Sequence, residues 1–170
     1  MILKQNWKDL GKAARKNKCS QIKASPPYQI KENSLPGIYI IINSHTKSCY
    51  IGQSFDIKQR IKSHKKELKQ NKHKRQVLQD EYNNYDISFK IIVIIDQKNR
   101  DLLLFLESFA MLYINECKSY KLYNSSHEIN GSYKLSSCKI PDELKLSIKK
   151  YTFLIKDQID LLLPFFQNED

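Results

Sequence analysis

The period of the apolar positions changes several times along the chain, and each change marks an element. From Gly37 to Asn43 the run GIYIIIN is β-branched and aromatic, and after the polar loop SHTK a second short run, SCYIG, ends at Gly52. Both have strand character, and the loop between them suits a hairpin. With the turn centred on His45 and Thr46, residue 50 lies opposite Ile41, so Tyr39 and Tyr50 share one face as diagonal neighbours. Asp56 is placed to cap a helix running to about Gln70, with Ile57, Ile61, His64 or Lys65, and Leu68 on one stripe of an otherwise cationic cylinder. A shorter helix is expected from Lys74 to about Tyr82.

ISFKIIVII, from Ile87 to Ile95, is the strongest strand candidate and brings the strands available for a sheet to three. Asp101 to Glu116 reads as a helix that is apolar almost all round, which predicts burial against that sheet. The segment LYNSSHEINGSY then reads as a loop leaving the core. Pro141 to Leu163 is helical in pattern, with Leu144, Ile148, Tyr151, Leu154 or Ile155, and Ile159 or Leu162 on one stripe. Residues 1–36 mix Lys, Asn and Ser with Pro26, Pro27 and Pro36 and offer only a short helix around Trp7 to Lys16. No internal repeat is visible.

Composition narrows the setting. A chain of 170 residues with 41% hydrophobic content suffices for one principal core. Lysine and arginine outnumber aspartate and glutamate 29 to 18, a net charge of +11, which favours polyanionic partners, nucleic acid or acidic lipid headgroups. The excess is local: eight basic against two acidic residues from Met1 to Pro36, and nine basic residues against Glu67 alone from Lys58 to Arg75. Phosphate contacts are therefore expected from the N-terminal arm and the middle of the chain.

Cys19, Cys49, Cys117 and Cys138 form no C-x-x-C pair, which argues against a cysteine-built zinc module and reads as reduced thiols of an intracellular protein. No apolar stretch approaches the roughly 20 residues that span a bilayer, and no signal-peptide core is present. An intracellular location, in cytoplasm, nucleoid or organelle, and no membrane partner are expected.

Within this frame Glu107 most needs explaining. It interrupts LLLFL and SFAMLYI, where a carboxylate is costly unless it lies on an exposed stripe, is paired, or binds a metal. Tyr39 and Tyr50 are read either as packing on a sheet face or, in a basic site, as proton relays for an attacking water. Arg60 and His64 are four apart and project from one side of their helix. They form either a solvated basic surface or a guanidinium that stabilises phosphoryl charge beside an imidazole that moves a proton. Gly37 and Gly52 bracket the hairpin, each suited to close backbone approach or to a turn.

Taken in order and spacing, Gly37-Ile38-Tyr39, Tyr50-Ile51-Gly52, Arg60, His64, Glu107 and Asn124 resemble the motifs of the GIY-YIG endonuclease superfamily. The resemblance spans about residues 36–126. It includes His73, at a histidine position seen in the intron-encoded homing branch, whose catalytic domain this chain most resembles. It implies an α/β (α+β) fold with a small three-stranded antiparallel sheet flanked by helices, preceded here by a basic extension over 1–35 and followed by a helical extension over 127–170. It also implies one divalent cation per site, Mg²⁺ or Mn²⁺, held by Glu107 and the scissile phosphate. Tyr39 and Tyr50 would flank the nucleophilic water, Arg60 and His64 would contact phosphate or relay a proton, and Asn124 would order the site. Which tyrosine is the base stays open. Gln53 and Ser54 follow YIG where many relatives carry a lysine.

The physical chemistry of the cation agrees, because a hard ion that keeps several waters needs few protein carboxylates. DNA is the expected partner, engaged by Lys58, Lys62, Lys65, His73, Lys74 and Arg75, and the oligomeric state stays open between monomer and homodimer. The expected function is a metal-dependent DNA endonuclease, homing-type or restriction-type. The alternatives are a catalytically silent nucleic-acid-binding module and a structure-specific repair nuclease.

Overall fold

The computed structural model describes residues 34–117, 120–136 and 140–163. The basic N-terminal extension, with its helix expected at Trp7 to Lys16, falls outside the described residues except for its last two positions. Strands β1 (Gly37–Asn43) and β2 (Ser48–Ser54) lead into helices α1 (Ile57–Lys69) and α2 (Gln76–Asn84). Strand β3 (Ser88–Ile94), helix α3 (Arg100–Cys117), the short β4 (Lys121–Leu122), α4 (Ser126–Ser136) and α5 (Asp142–Leu162) complete the order.

The hairpin forms in the expected register, with Ile41 opposite Tyr50 and Tyr39 opposite Gly52. β3 runs antiparallel along the other side of β1, with a register shift between Ile38 and Tyr39 that places one extra residue, Ile92, in β3. A bulge of this kind bends the strand and re-aims the side chain beside it. Here the bulged strand is β3, whose successive Ile92 and Val93 are both buried.

The sheet has four strands in the order β3-β1-β2-β4 rather than the expected three, and it is mixed, because β4 pairs parallel to β2. The segment read as a loop leaving the core thus supplies an edge strand and a helix. Its ladder is short but continues beyond β4. Tyr123 N donates to Cys49 O (2.7 Å), and the Asn124 side chain accepts from Ile51 N (2.9 Å) and donates to Ile51 O (3.0 Å), as a further backbone rung would.

Period-2 alternation divides β1 and β2 between two faces. Ile38, Ile40, Ile42, Cys49 and Ile51 pack against α3 and α5 through Leu102, Leu103, Leu106, Ala110, Ile148 and Ile155 in the main apolar core. Tyr39, Ile41 and Tyr50 face the other way, against Ile57 and Leu68 of α1 and Leu78 of α2. β1 is therefore buried on both faces along its whole length. Asp56 caps α1 by accepting from Gln59 N (3.0 Å), and His64, not Lys65, takes the buried position of that helix. On α5 the buried stripe is Leu144, Ile148, Tyr151, Ile155 and Ile159. Cys49 is a buried free thiol, its acidity pushed down by burial so that its pKa rises to about 12, while the other three cysteine side chains lie outside the described residues. Among the described residues no helix is long and apolar enough to cross a membrane.

Candidate active site

Tyr39 occupies the middle of β1, and its ring lies over Gly52 on the neighbouring strand. A Cβ at Gly52 would sit 2.4 Å from the Tyr39 ring and hydroxyl, and one at Gly37 would sit 2.1 Å from the Val93 carbonyl oxygen of β3. Both glycines are thus required by close approach, the first by the tyrosine and the second by the neighbouring backbone. The Tyr39 and Tyr50 ring centroids are 6.3 Å apart, and His64 of α1 packs against both.

A chain of hydrogen bonds starts at the Tyr39 hydroxyl. That oxygen lies 2.7 Å from His64 Nε2, and His64 Nδ1 lies 2.8 Å from His73 Nε2. His73 Nδ1 meets the backbone of Arg75, accepting from its N–H at 3.2 Å or donating to its carbonyl at 3.4 Å. Each choice at Arg75 fixes the tautomer of His73, hence that of His64, hence whether Tyr39 donates or accepts. The chain can be polarised in either direction. Gln79 of α2 holds the intervening loop by accepting from His73 N (3.1 Å) and donating to Leu68 O (3.0 Å).

Burial, the Arg60 guanidinium, His73 and Arg75 together push the His64 pKa down to about 3, so its ring is neutral at any physiological pH. His73 is lowered for the same first reason, burial. Burial, and next the neighbouring Tyr50, raises the Tyr39 phenol, while charge and a hydrogen bond from Arg60 pull the other way. His64, Glu67 and His73 also present ligand atoms within 4.8 Å of one another. Two arginines bear on this trio, however, and the two rings already satisfy each other, so the cluster reads as a hydrogen-bonded dyad and not as a cation site.

Arg60 is exposed at the rim, beside Tyr39. Lys58, Lys62 and Lys65 recur at helical spacing on the opposite flank of α1, and Lys65 Nζ lies over the Phe89 ring of β3, 5.0 Å from its centroid. The structure therefore does not bring these lysines to the tyrosines. Lys74 is exposed in the loop between α1 and α2. His73 and Arg75, expected on the DNA surface, instead form part of the cluster. His73 is buried, and Arg75 stacks over Tyr50 with Cζ 4.9 Å from the ring centroid, pairs with Glu128, and donates to Tyr123 O at 3.3 Å.

Glu128 escaped the sequence reading, although a signal for it existed. Ser125 lies three residues ahead of it at the start of α4, the capping-box spacing, and Ser125 N donates to Glu128 Oε2 at 2.6 Å. Glu128 thus both caps a helix and holds Arg75.

Glu107 projects from α3 into an open cleft of about 290 Å³ that Leu104, Met111, Asn124 and Glu128 also line. Its pKa is raised to about 7 by burial first and by Glu128 next, against a hydrogen bond from the Gln53 backbone and the charge of Arg75. Among the described residues no lysine or arginine forms an ion pair with it. A desolvated carboxylate without a cation partner, facing an open cleft, fits a largely hydrated divalent ion, and the other carboxylate described in the cleft, Glu128, is committed to Arg75. Asn124 is equally committed, to the Ile51 backbone, and acts on the site by fixing β2.

A family model described as the GIY-YIG catalytic domain matches residues 35–128. No curated protein and no solved structure matches the chain.

Proposed function

The chain belongs to the GIY-YIG catalytic domain family, a family of nucleases, and from that membership we propose that it is a metal-dependent DNA endonuclease of the homing type. The observation that carries this reading is the buried chain Tyr39–His64–His73 under an exposed Arg60, with the unpaired carboxylate of Glu107 nearby. The participation of His73 favours the homing branch over the restriction branch.

Tyr39 is the base in this proposal. Its raised pKa forbids a standing phenolate at neutral pH, so its proton must leave as it is needed. A neutral His64 Nε2 at 2.7 Å can take it while the phenol oxygen takes one from the attacking water, and His73 accepts the polarisation at the far side of the imidazole. Among the described residues Tyr50 has no such acceptor. Its hydroxyl is held under Arg75, which suits it to orient phosphate or water. Arg60, exposed at the rim beside Tyr39, would stabilise charge on the phosphoryl oxygens. Glu107 would hold Mg²⁺ or Mn²⁺, which when bound supplies Lewis-acid stabilisation of the phosphate and the leaving oxygen. The lysine flank of α1 would track the DNA backbone away from the scissile bond.

Incubation of the protein with supercoiled plasmid tests this. Nicked or linear product is expected with Mg²⁺ or Mn²⁺ and none with chelator. Glu107→Ala and Arg60→Ala should each abolish it while binding of DNA persists. Cleavage by both variants, or cleavage in chelator, overturns the proposal, and binding without any cleavage by the unaltered protein would leave a silent binding module.

A further inference from the structure

Helix α5 is apolar on two opposite sides. Leu144, Ile148, Tyr151, Ile155 and Ile159 bury one side in the core. Leu146, Phe153 and Leu161, at 79%, 70% and 69% exposure, lie on the broadly opposite side, and Leu154, at 37%, lies at its margin. Surface leucines scattered singly need no explanation, but a phenylalanine and three leucines along about 22 Å of one helix form a line that monomers rarely leave bare. Lys150 and Asp157 interrupt the line at its centre, and Glu143 and Asp160 lie beside it towards its two ends, all four exposed.

The positions of those charges select the occupant. In an antiparallel pair of α5 helices about a twofold axis between positions 153 and 154, Leu146 meets Leu161 of the second copy, Phe153 meets Leu154, and Lys150 meets Asp157. Every contact occurs twice, as an isologous interface requires. A parallel pair would instead set lysine against lysine and aspartate against aspartate. A nucleic-acid partner is not matched either, because this side of the helix sets Glu143, Asp157 and Asp160 against Lys150 and is net acidic. Lys150 Nζ already lies 3.1 Å from Asp96, yet its side chain stays 57% exposed and can share a second carboxylate.

We propose that the exposed stripe of α5 is a self-complementary dimer interface, with two copies of this chain packed antiparallel through Leu146, Lys150, Phe153, Leu154, Asp157 and Leu161. Nothing in this inference depends on the catalytic reading.

Sedimentation velocity or light scattering on the full chain, across micromolar concentrations, tests it. The unaltered protein should reach dimer mass. Phe153→Glu should raise the dissociation constant roughly 30-fold or more, as loss of a central aromatic contact does. Lys150→Glu should weaken it about fivefold, and the exchange Lys150→Glu with Asp157→Lys should restore it. Recovery in the exchange isolates the contact between copies, because the bond to Asp96 stays lost. All altered positions are exposed, so unchanged far-ultraviolet dichroism confirms that folding is intact. A monomer at every concentration, with the stripe free or covered by another segment of the chain, overturns the proposal, as does a dimer indifferent to Phe153→Glu.

Discussion

Strand β1 is covered on both sides, but the two coverings are different materials. On the α3 and α5 side, Ile38, Ile40 and Ile42 meet leucines, alanine and isoleucines in a continuous apolar core. On the α1 and α2 side, Tyr39 and Ile41 meet a smaller cluster into which His64, His73 and Gln79 are built as buried polar groups. The first side is held by contact area, which is non-directional and tolerates small displacement. The second is held by hydrogen bonds whose partners must all be present, because each buried polar atom left alone costs what the bond had offset. The two sides are thus held by different means, and substitutions on them should fail in different ways.

The largest effect expected is on the polar side. Tyr39→Phe keeps the ring over Gly52 but removes the hydroxyl, and cleavage should fall by about a thousandfold in a plasmid assay while the protein still melts cooperatively, with a loss of only about 1 kcal/mol from the orphaned His64 nitrogen. If the variant cuts normally, Tyr39 is not the base and the distinction between the sides loses its chemical half. Next comes the apolar side, where Leu106→Ala should cost about 3 kcal/mol in denaturant unfolding and leave the cleavage rate per folded molecule unchanged. An equal fall in both quantities would show that the two sides are coupled.

Asn124→Ala should show an intermediate pattern. It strips two backbone partners from Ile51 at the sheet edge, so about 2 kcal/mol of stability and a part of the activity should go together. The smallest effect expected is on pH. Because the Glu107 pKa is raised, its contribution favours the folded protein below about 4.5 and is lost as pH rises through about 7. Glu107→Gln should therefore be inactive yet more stable than the parent at pH 8, by on the order of 1 to 2 kcal/mol, and not at pH 4.5. His64 acts in the opposite sense, its lowered pKa costing stability as pH falls below about 6.5, but it does so in both proteins and cancels from the comparison.

Much of the apolar half was legible from the residues. The polar turn around His45 and Thr46 set the hairpin register, Asp56 announced α1, and the apolar run around Glu107 announced a buried α3. The catalytic candidates were legible for a different reason, because their order and spacing resemble a known set. Where the reading stopped, contact depended on residues distant in sequence. His73 and Arg75 looked like two more cations in a basic run, and only the packing of α2 under the hairpin turns them inward. A two-residue β4 carries no period to detect, and it exists because an asparagine side chain prolongs its ladder. On α5 the pattern allowed Leu154 or Ile155 inside. The structure buries Ile155, and Leu154 falls at the margin of a second apolar stripe that a single-face reading had no place for.

The double covering of β1 also has a bearing on inheritance. Every side chain from Gly37 to Asn43 is buried, so the strand has no neutral position at which change can accumulate unnoticed. Whatever becomes of the proposed chemistry at Tyr39, Ile38, Ile40 and Ile42 stay held by the apolar core.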